Sequence, residues 1–247
     1  MSLGFSITAD LRTQLVGLGF SLHHFFRVSQ YNQTAPPGFA LPEPNGRRTV
    51  GMLVANNFEL WPVFISYLRA NPHDIDRVDP LDSYTQKSIA LSVQQFDGRT
   101  QVRFAHQMTP NPIAMQHLSD VCGFAQRSSS HLCIHPKYGP WISLRGVIIF
   151  DFLMDIPAID SNALCDTQCA VRCGKAFTNA IAAMDSAKHE AIRQGWIQWL
   201  QIRDLCTIGR QYRYSQPQLE YHYTHNKDIL RTEVEKMNAK YDQQIQK

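Results

Sequence analysis

Cys165, Cys169 and Cys173 recur every fourth residue, a spacing that stacks three thiols on one face of a helix. Zinc and iron–sulfur sites use two-residue gaps that fold the chain around the ion, whereas a straight helix spreads these sulfurs over about 12 Å, too far for one ion. The alternatives are three small residues on a half-buried helical face or a redox-active dithiol. His23-His24 and His222-x-x-His225 have ligand-like spacings but lack the His-Glu-x-x-His helix that makes such pairs specific, so surface or partly buried histidines are expected and no metal site is assigned. No Gly-x-Gly-x-x-Gly or Walker-type run is present, which leaves nucleotide-driven chemistry without support.

The stretch from Cys133 to Gly146 (CIHPKYGPWISLRG) is more telling. It places Arg145 at the edge of an apolar core, beside Trp141 and Gly146, and a guanidinium held there must pair with an anion. That anion is either an internal Asp or Glu or a ligand.

The elements that carry these residues can be read from punctuation and period. Asp10 is a plausible N-cap for a helix with Leu11, Leu15 and Leu18 on one face, closed by Gly17 and Gly19. Phe20 to Val28 reads as a strand. Tyr31 to Pro44 holds four prolines and forms an extended loop. A strand over 49–55 then feeds a helix over 58–68 that Pro62 interrupts early. Further on, a helix over 82–96, a strand over 100–104 and a helix over 113–122 follow, the last opened by Pro110-Asn111-Pro112. The runs 131–135 and 141–150 form a hairpin-like pair, 160–199 is mostly helical, and 233–247 is a polar helical tail. These elements give an α and β architecture in one domain, the body spanning 1–232.

Composition narrows the function. Of 247 residues, 24 are basic and 21 acidic, for a net charge of +3. With Arg47-Arg48 as the largest basic cluster, general nucleic-acid binding has no support. The apolar run Val147-Ile148-Ile149-Phe150 is cut by Asp151, far short of the roughly 20 residues of a membrane span. Met1 to Phe5 show no charged and apolar leader, and the six cysteines read as reduced thiols, so a cytoplasmic location is expected.

The stretch around Arg145 resembles the core signature of the CblC family, the cytosolic vitamin B12 processing proteins. Tyr31-Asn32 with Pro36-Pro37-x-Phe39-x-Leu41-Pro42 is similar to the family's proline-rich loop. Pro110-Asn111, Ile113–Gln116 and Val121-x-Gly123 resemble its next helix, and Gly195-Trp196, Arg203-Asp204 and Arg213-Tyr214-Ser215 fall in family order. The resemblance covers roughly residues 12–232. Asp120, where the mammalian type has histidine, and a shorter loop before Cys133 mark an invertebrate-type member.

That resemblance implies an α+β, flavin-nitroreductase-like mixed sheet with flanking helices, binding cobalamin with its base detached from cobalt. The implied reactions are glutathione-dependent dealkylation of alkylcobalamins and reductive decyanation of cyanocobalamin. FAD or FMN with NADPH are candidate reductants for the second. A cobalamin chaperone without catalysis is the alternative, and the extra cysteines would permit thiol oxidation with oxygen. By resemblance, Arg145, Arg203 and Arg231 bind glutathione and activate its thiol, with Lys227 as the other choice for the third position. Ile113, Ala114, Met115, Gln116, Gln126, Arg127, Cys133, Leu144, Trp141 and Tyr214 contact cobalamin, and no residue ligates its metal. A CblD-type adaptor and the methionine synthase system are the implied partners of a monomer or weak homodimer.

Overall fold

β-branched and aromatic residues concentrate in four segments, and these become one sheet. They are β1 (Leu22–Arg27), β2 (Val50–Asn56), β3 (Thr100–Phe104) and, after the short strands β4 (Gln126–Arg127) and β5 (Cys133–Ile134), β6 (Ser143–Phe150). The four long strands pair antiparallel in the order β1-β2-β6-β3, and β4 with β5 forms a separate two-stranded ladder. The computed structural model describes residues 3–110, 112–156, 164–183 and 195–245.

Every residue of β2 is buried, because both faces of the sheet are covered. Under one face lie α1 (Leu3–Gly17), α3 (Leu60–Ala70), α4 (Pro80–Val93) and α9 (Lys227–Ile245), joined at its edge by Tyr221 of α8 (Gln216–Thr224), the intervening α2 (Val28–Asn32), α5 (Met115–Val121), α6 (Thr167–Ala183) and α7 (Trp196–Leu205) lying elsewhere. Leu11, Leu15, Phe64 and Leu68 pack there on Met52, Val54, Ile148 and Phe150. The opposite face carries Leu53, Ala55, Val147 and Ile149 against Tyr31, Leu41, Leu118 and Phe124. A third cluster, Trp141, Leu200, Tyr214 and Leu219, joins α7 and α8 to the start of β6. Burying side chains of this size contributes roughly 1.5–3 kcal/mol each, which is why the layers hold.

One irregularity sets the position of Arg145. Opposite β2, Val54 faces Gly146 but Ala55 faces Leu144, so β6 carries an extra residue there. A strand alternates faces with period two, and a bulge reverses the phase. Ile148 and Phe150 share a face with Arg145, while Val147 and Ile149 share one with Leu144. On the other edge the bulged residue is still paired, since its carbonyl accepts from Ala105 N–H at 2.9 Å.

A second device is a close backbone approach. Gly139 has φ +56° and Gly209 φ +72°, and a Cβ on Gly139 would lie 1.9 Å from the Ile208 carbonyl oxygen while one on Gly209 would lie 2.3 Å from the Tyr138 carbonyl carbon. Only glycine tolerates both the conformation and the contact. The clamp holds the Pro136–Pro140 turn against the α7–α8 connection.

The α+β class stands, with several differences in detail. Asp10 lies inside α1 rather than capping it, and Pro62 sits in the first turn of α3, where a missing N–H costs no helical bond. The hairpin expected between 131–135 and 141–150 reduces to one bridge, His135 with Gly139, because Cys133–Ile134 pairs with Gln126–Arg127 instead. The boundary placed after residue 232 falls within α9, whose Leu230, Val234 and Met237 pack on the core. Of the helix expected over 160–199, residues 160–163 and 184–194 lie outside the described residues, as do Asn111 and 246–247. Gly139→Ala and Gly209→Ala are expected to destabilise by about 3 kcal/mol or more, lowering the thermal midpoint on the order of 5–10 °C. Gly17→Ala, which meets nothing within 4 Å, leaves it nearly unchanged in the same scan.

Candidate functional site

The bulge turns Arg145 toward α3, α4 and α8. Its Nε donates to Asn56 Oδ1 at 2.6 Å, and its nearest acid, Asp82, stands 3.8 Å away and is shared with His106 at 3.7 Å. Burial lowers the Arg145 pKa from its ordinary value and Asp82 opposes the shift; a guanidinium starts so high that it remains a cation. The side chain borders a cavity of about 20 Å³ lined by Trp61, Ser143, Tyr214, Tyr221 and His222. That volume admits a water or a carboxylate oxygen, so a larger anion would place only its charged end there.

Arg203 of α7 approaches the same residues from behind. It is 7% exposed, and its Nε and one terminal nitrogen are buried without a hydrogen-bond partner. The other terminal nitrogen donates to His222 Nε2 at 3.3 Å. That bond needs a neutral imidazole, and burial together with Arg203 and Arg145 holds the His222 pKa well below its ordinary value. Asp204, the adjacent acid, is used elsewhere, binding Arg213 through two bonds of 2.8 and 3.2 Å. Trp141 lies between the two cations, 5.9 Å from Arg203 and 5.6 Å from Arg213, and its own Nε1 is another buried unpartnered donor. Leaving a buried charged donor unsatisfied costs about 3 kcal/mol or more, and an incoming anion would recover it.

Arg231 does not join this pair. It is exposed on α9 and binds Asp76 at 2.8 Å and Asp228 at 2.7 Å, while Lys227 donates to the Asp76 carbonyl. Most of the residues expected around cobalamin do come together on the other face of the sheet. Ile113, Met115, Cys133 and Leu144 belong to one apolar cluster. Gln116 donates to the His131 carbonyl at 2.8 Å, Gln126 and Arg127 pair with Ile134 and Cys133, and Ala114 N–H donates to the Tyr31 hydroxyl at 3.3 Å. Asp120 accepts from Arg127 N–H at 2.9 Å. Trp141 and Tyr214 are separated from this group and pack with Arg203, their rings 5.9 Å apart.

Sequence reasoning missed Asn56, Asp82 and His222. The first two carry no motif, and His222 was read only as a surface or partly buried histidine. His225 is exposed and faces Asp79 at 3.4 Å. His23 and His24 are held below their ordinary pKa mainly by burial, His23 at about 4. Cys165 lies ahead of α6 rather than on it, and Cys169 and Cys173 are one turn apart.

The model of the methylmalonic aciduria and homocystinuria type C family matches residues 19–233. The chain is 26% identical over 230 residues to the Homo sapiens protein named cyanocobalamin reductase / alkylcobalamin dealkylase, covering 85% of this chain and 74% of the relative. It is 26% identical over 179 residues to the Gallus gallus protein of the same name, covering 65% and 73%. In fold it is similar to the crystal structure of a C. elegans B12-trafficking protein, CblC, described as a human MMACHC homologue, with a TM-score of 0.70 at 19% identity over 94% of this chain and 97% of that one. An epoxyqueuosine reductase from Bacillus subtilis shares the fold with a TM-score of 0.50 at 10% identity, over 85% and 67%. Among the described residues no helix is long and apolar enough to cross a membrane.

The histidines make stability depend on pH in one direction. His222 is depressed, and His23 and His135 titrate near 4 in the fold against 6.5 as ordinary imidazoles, so below pH 6.5 the unfolded chain binds more protons than the folded one. Their contribution is complete above pH 6.5 and is lost as pH falls toward 4. Thermal unfolding at pH 7, 6 and 5 is expected to show a falling midpoint, and His222→Gln, which keeps an acceptor for Arg203 but cannot titrate, flattens that fall.

Proposed function

The chain belongs to the methylmalonic aciduria and homocystinuria type C family, and from that premise we propose that it processes cobalamin by binding it base-off and removing its upper axial ligand. The apolar surface around Ile113–Gln116, Cys133 and Leu144, edged by Gln126 and Arg127, suits a flat macrocycle with amide side chains. Because the lower base is displaced without a protein ligand to cobalt, the bound metal is easier to reduce.

The observation that carries the reading is Arg203. Two of its buried nitrogens have no partner, beside a second guanidinium, Arg145, whose acid is 3.8 Å away. Glutathione presents two carboxylates, which planar guanidinium groups bind as bidentate pairs. Anchored there, its thiol is deprotonated more readily near the two positive charges, and only the thiolate is an effective nucleophile. The thiolate attacks the cobalt-bound carbon; the carbon–cobalt bond breaks with both electrons left on cobalt, giving cob(I)alamin and a thioether. For cyanocobalamin, electrons from an external donor reduce cobalt and cyanide leaves. Arg145 and Leu144 are adjacent but face opposite sides of β6, so the peptide must reach round the open start of that strand, near Ser143. Arg231, engaged by Asp76 and Asp228, stays outside this scheme unless it leaves both acids. Transfer of the product to a CblD-type adaptor and the methionine synthase system, in the cytoplasm, belongs to the same reading.

An anaerobic absorbance titration of methylcobalamin with the purified protein, followed by glutathione, tests it. A blue shift on binding, then cob(I)alamin together with methylated glutathione, is the expected result. Arg145→Gln should leave the shift intact and slow dealkylation by about 10- to 100-fold, the loss of one charge-assisted pair. A shift without any response to glutathione would make the protein a carrier, and no shift would remove cobalamin as its ligand.

A further inference from the structure

Four of the six cysteines gather at one place that the proposed reaction does not use. Cys169 Sγ and Cys173 Sγ are 4.0 Å apart on α6. Cys165, just ahead of the helix, and Cys206, buried at the end of α7, are close enough to Cys169 that it disfavours the thiolate form of both. Burial, reinforced by the neighbouring thiols, pushes Cys165 and Cys173 up to about 11. Among the described residues no group of metal-ligating side chains is disposed to hold an ion.

We propose that Cys169 and Cys173 are a dithiol that exchanges with low-molecular-weight disulfides to form an intramolecular disulfide. Successive turns of a helix bring α-carbons four residues apart to roughly 6 Å but leave their β-carbons about 5–6 Å apart, more than the roughly 3.5–4.5 Å a disulfide spans, so closing the sulfurs from 4.0 Å takes a shift of the first turn of α6, where Cys169 sits, together with side-chain rotation. Cys169 is the half-exposed member and meets the incoming disulfide, while Cys173 is 7% exposed and closes the bond from inside. With glutathione disulfide, the Cys169 thiolate attacks one sulfur, the glutathione S–S bond breaks, and one glutathione leaves as its thiolate. The Cys173 thiolate then attacks the Cys169 sulfur and expels the second. The protein loses two protons and two electrons; two glutathione thiols gain them.

The location gives the couple something to act on. Leu164 N–H, next to Cys165, donates to Gln126 Oε1 at 2.6 Å, and Cys206 N–H donates to the Arg203 carbonyl at 3.2 Å. His131, whose carbonyl accepts from Gln116, has its ring 4.7 Å from Phe177 of α6. The dithiol therefore stands between the residues proposed for the macrocycle and the helix that carries the buried guanidinium.

The test needs no cobalamin, so its outcome is separate from that of the dealkylation assay. Reduced full-length protein is equilibrated anaerobically in glutathione buffers of graded disulfide content, quenched with an alkylating agent and analysed by intact mass and peptide mapping. The expected product is lighter by two hydrogens, has two fewer alkylatable thiols, and carries a bond mapped to Cys169 and Cys173. Cys173→Ser should stop at a glutathione adduct on Cys169, Cys169→Ser should abolish the bond, and Cys122→Ser should change nothing. Alkylation of every cysteine at all buffer ratios, a bond mapped to another pair, or closure in Cys173→Ser would each overturn the assignment.

Discussion

Strand β6 is paired along both edges, so a change of phase within it is imposed on the whole sheet. The extra residue opposite Val54 and Ala55 is such a change, and both sides of the proposed site follow from it. Continued at regular period, the alternation of Val147 and Ile149 would send Arg145 into the apolar layer with Leu53 and Phe124. There its charge would have neither Asn56 nor Asp82. The bulge instead sends Leu144 to that layer and Arg145 to the layer where polar partners wait, which is a common use of bulges at functional sites.

A second guanidinium has to be brought to the first from a distant part of the chain. The Gly139–Gly209 contact does so by letting two turns pass at a distance that any β-carbon would block. The apolar cluster of Trp141, Tyr214 and Leu219 then fills the space between them. Aromatic faces can soften the burial of a cation, and Arg203 lies 5.7 to 5.9 Å from three of them. They do not replace hydrogen-bond acceptors. A charge held in this way is stable because the surrounding packing over-determines its position, and it remains ready for an anion with acceptors to offer.

Much of the scaffold was legible beforehand because its signals are local. The strand expected over 100–104 coincides with β3, and the expected burial of Leu11 and Leu15 is met. Pairing was less legible. Cys133–Ile134 looked like one arm of a hairpin with the run that follows, yet its hydrogen bonds go to Gln126–Arg127, a choice made by packing on α5 rather than by the turn. The third arginine shows the same limit. Counting along the chain favoured Arg231, but α9 turns that side chain toward Asp76 on the surface.

The sequence by itself determined the family, the α+β class and the residue types available for anion and macrocycle binding, since the run from Cys133 to Gly146 survives as a contiguous pattern. Only the tertiary structure decided which of those residues meet. Burial makes His222 a neutral acceptor, while the packing of α7 against its neighbours leaves Asp204 on Arg213 rather than Arg203 and gathers Cys206 with three cysteines more than thirty residues earlier. The reason is physical: hydrogen-bond partners and desolvation depend on contacts between segments far apart in the chain, and no local period or spacing carries that information.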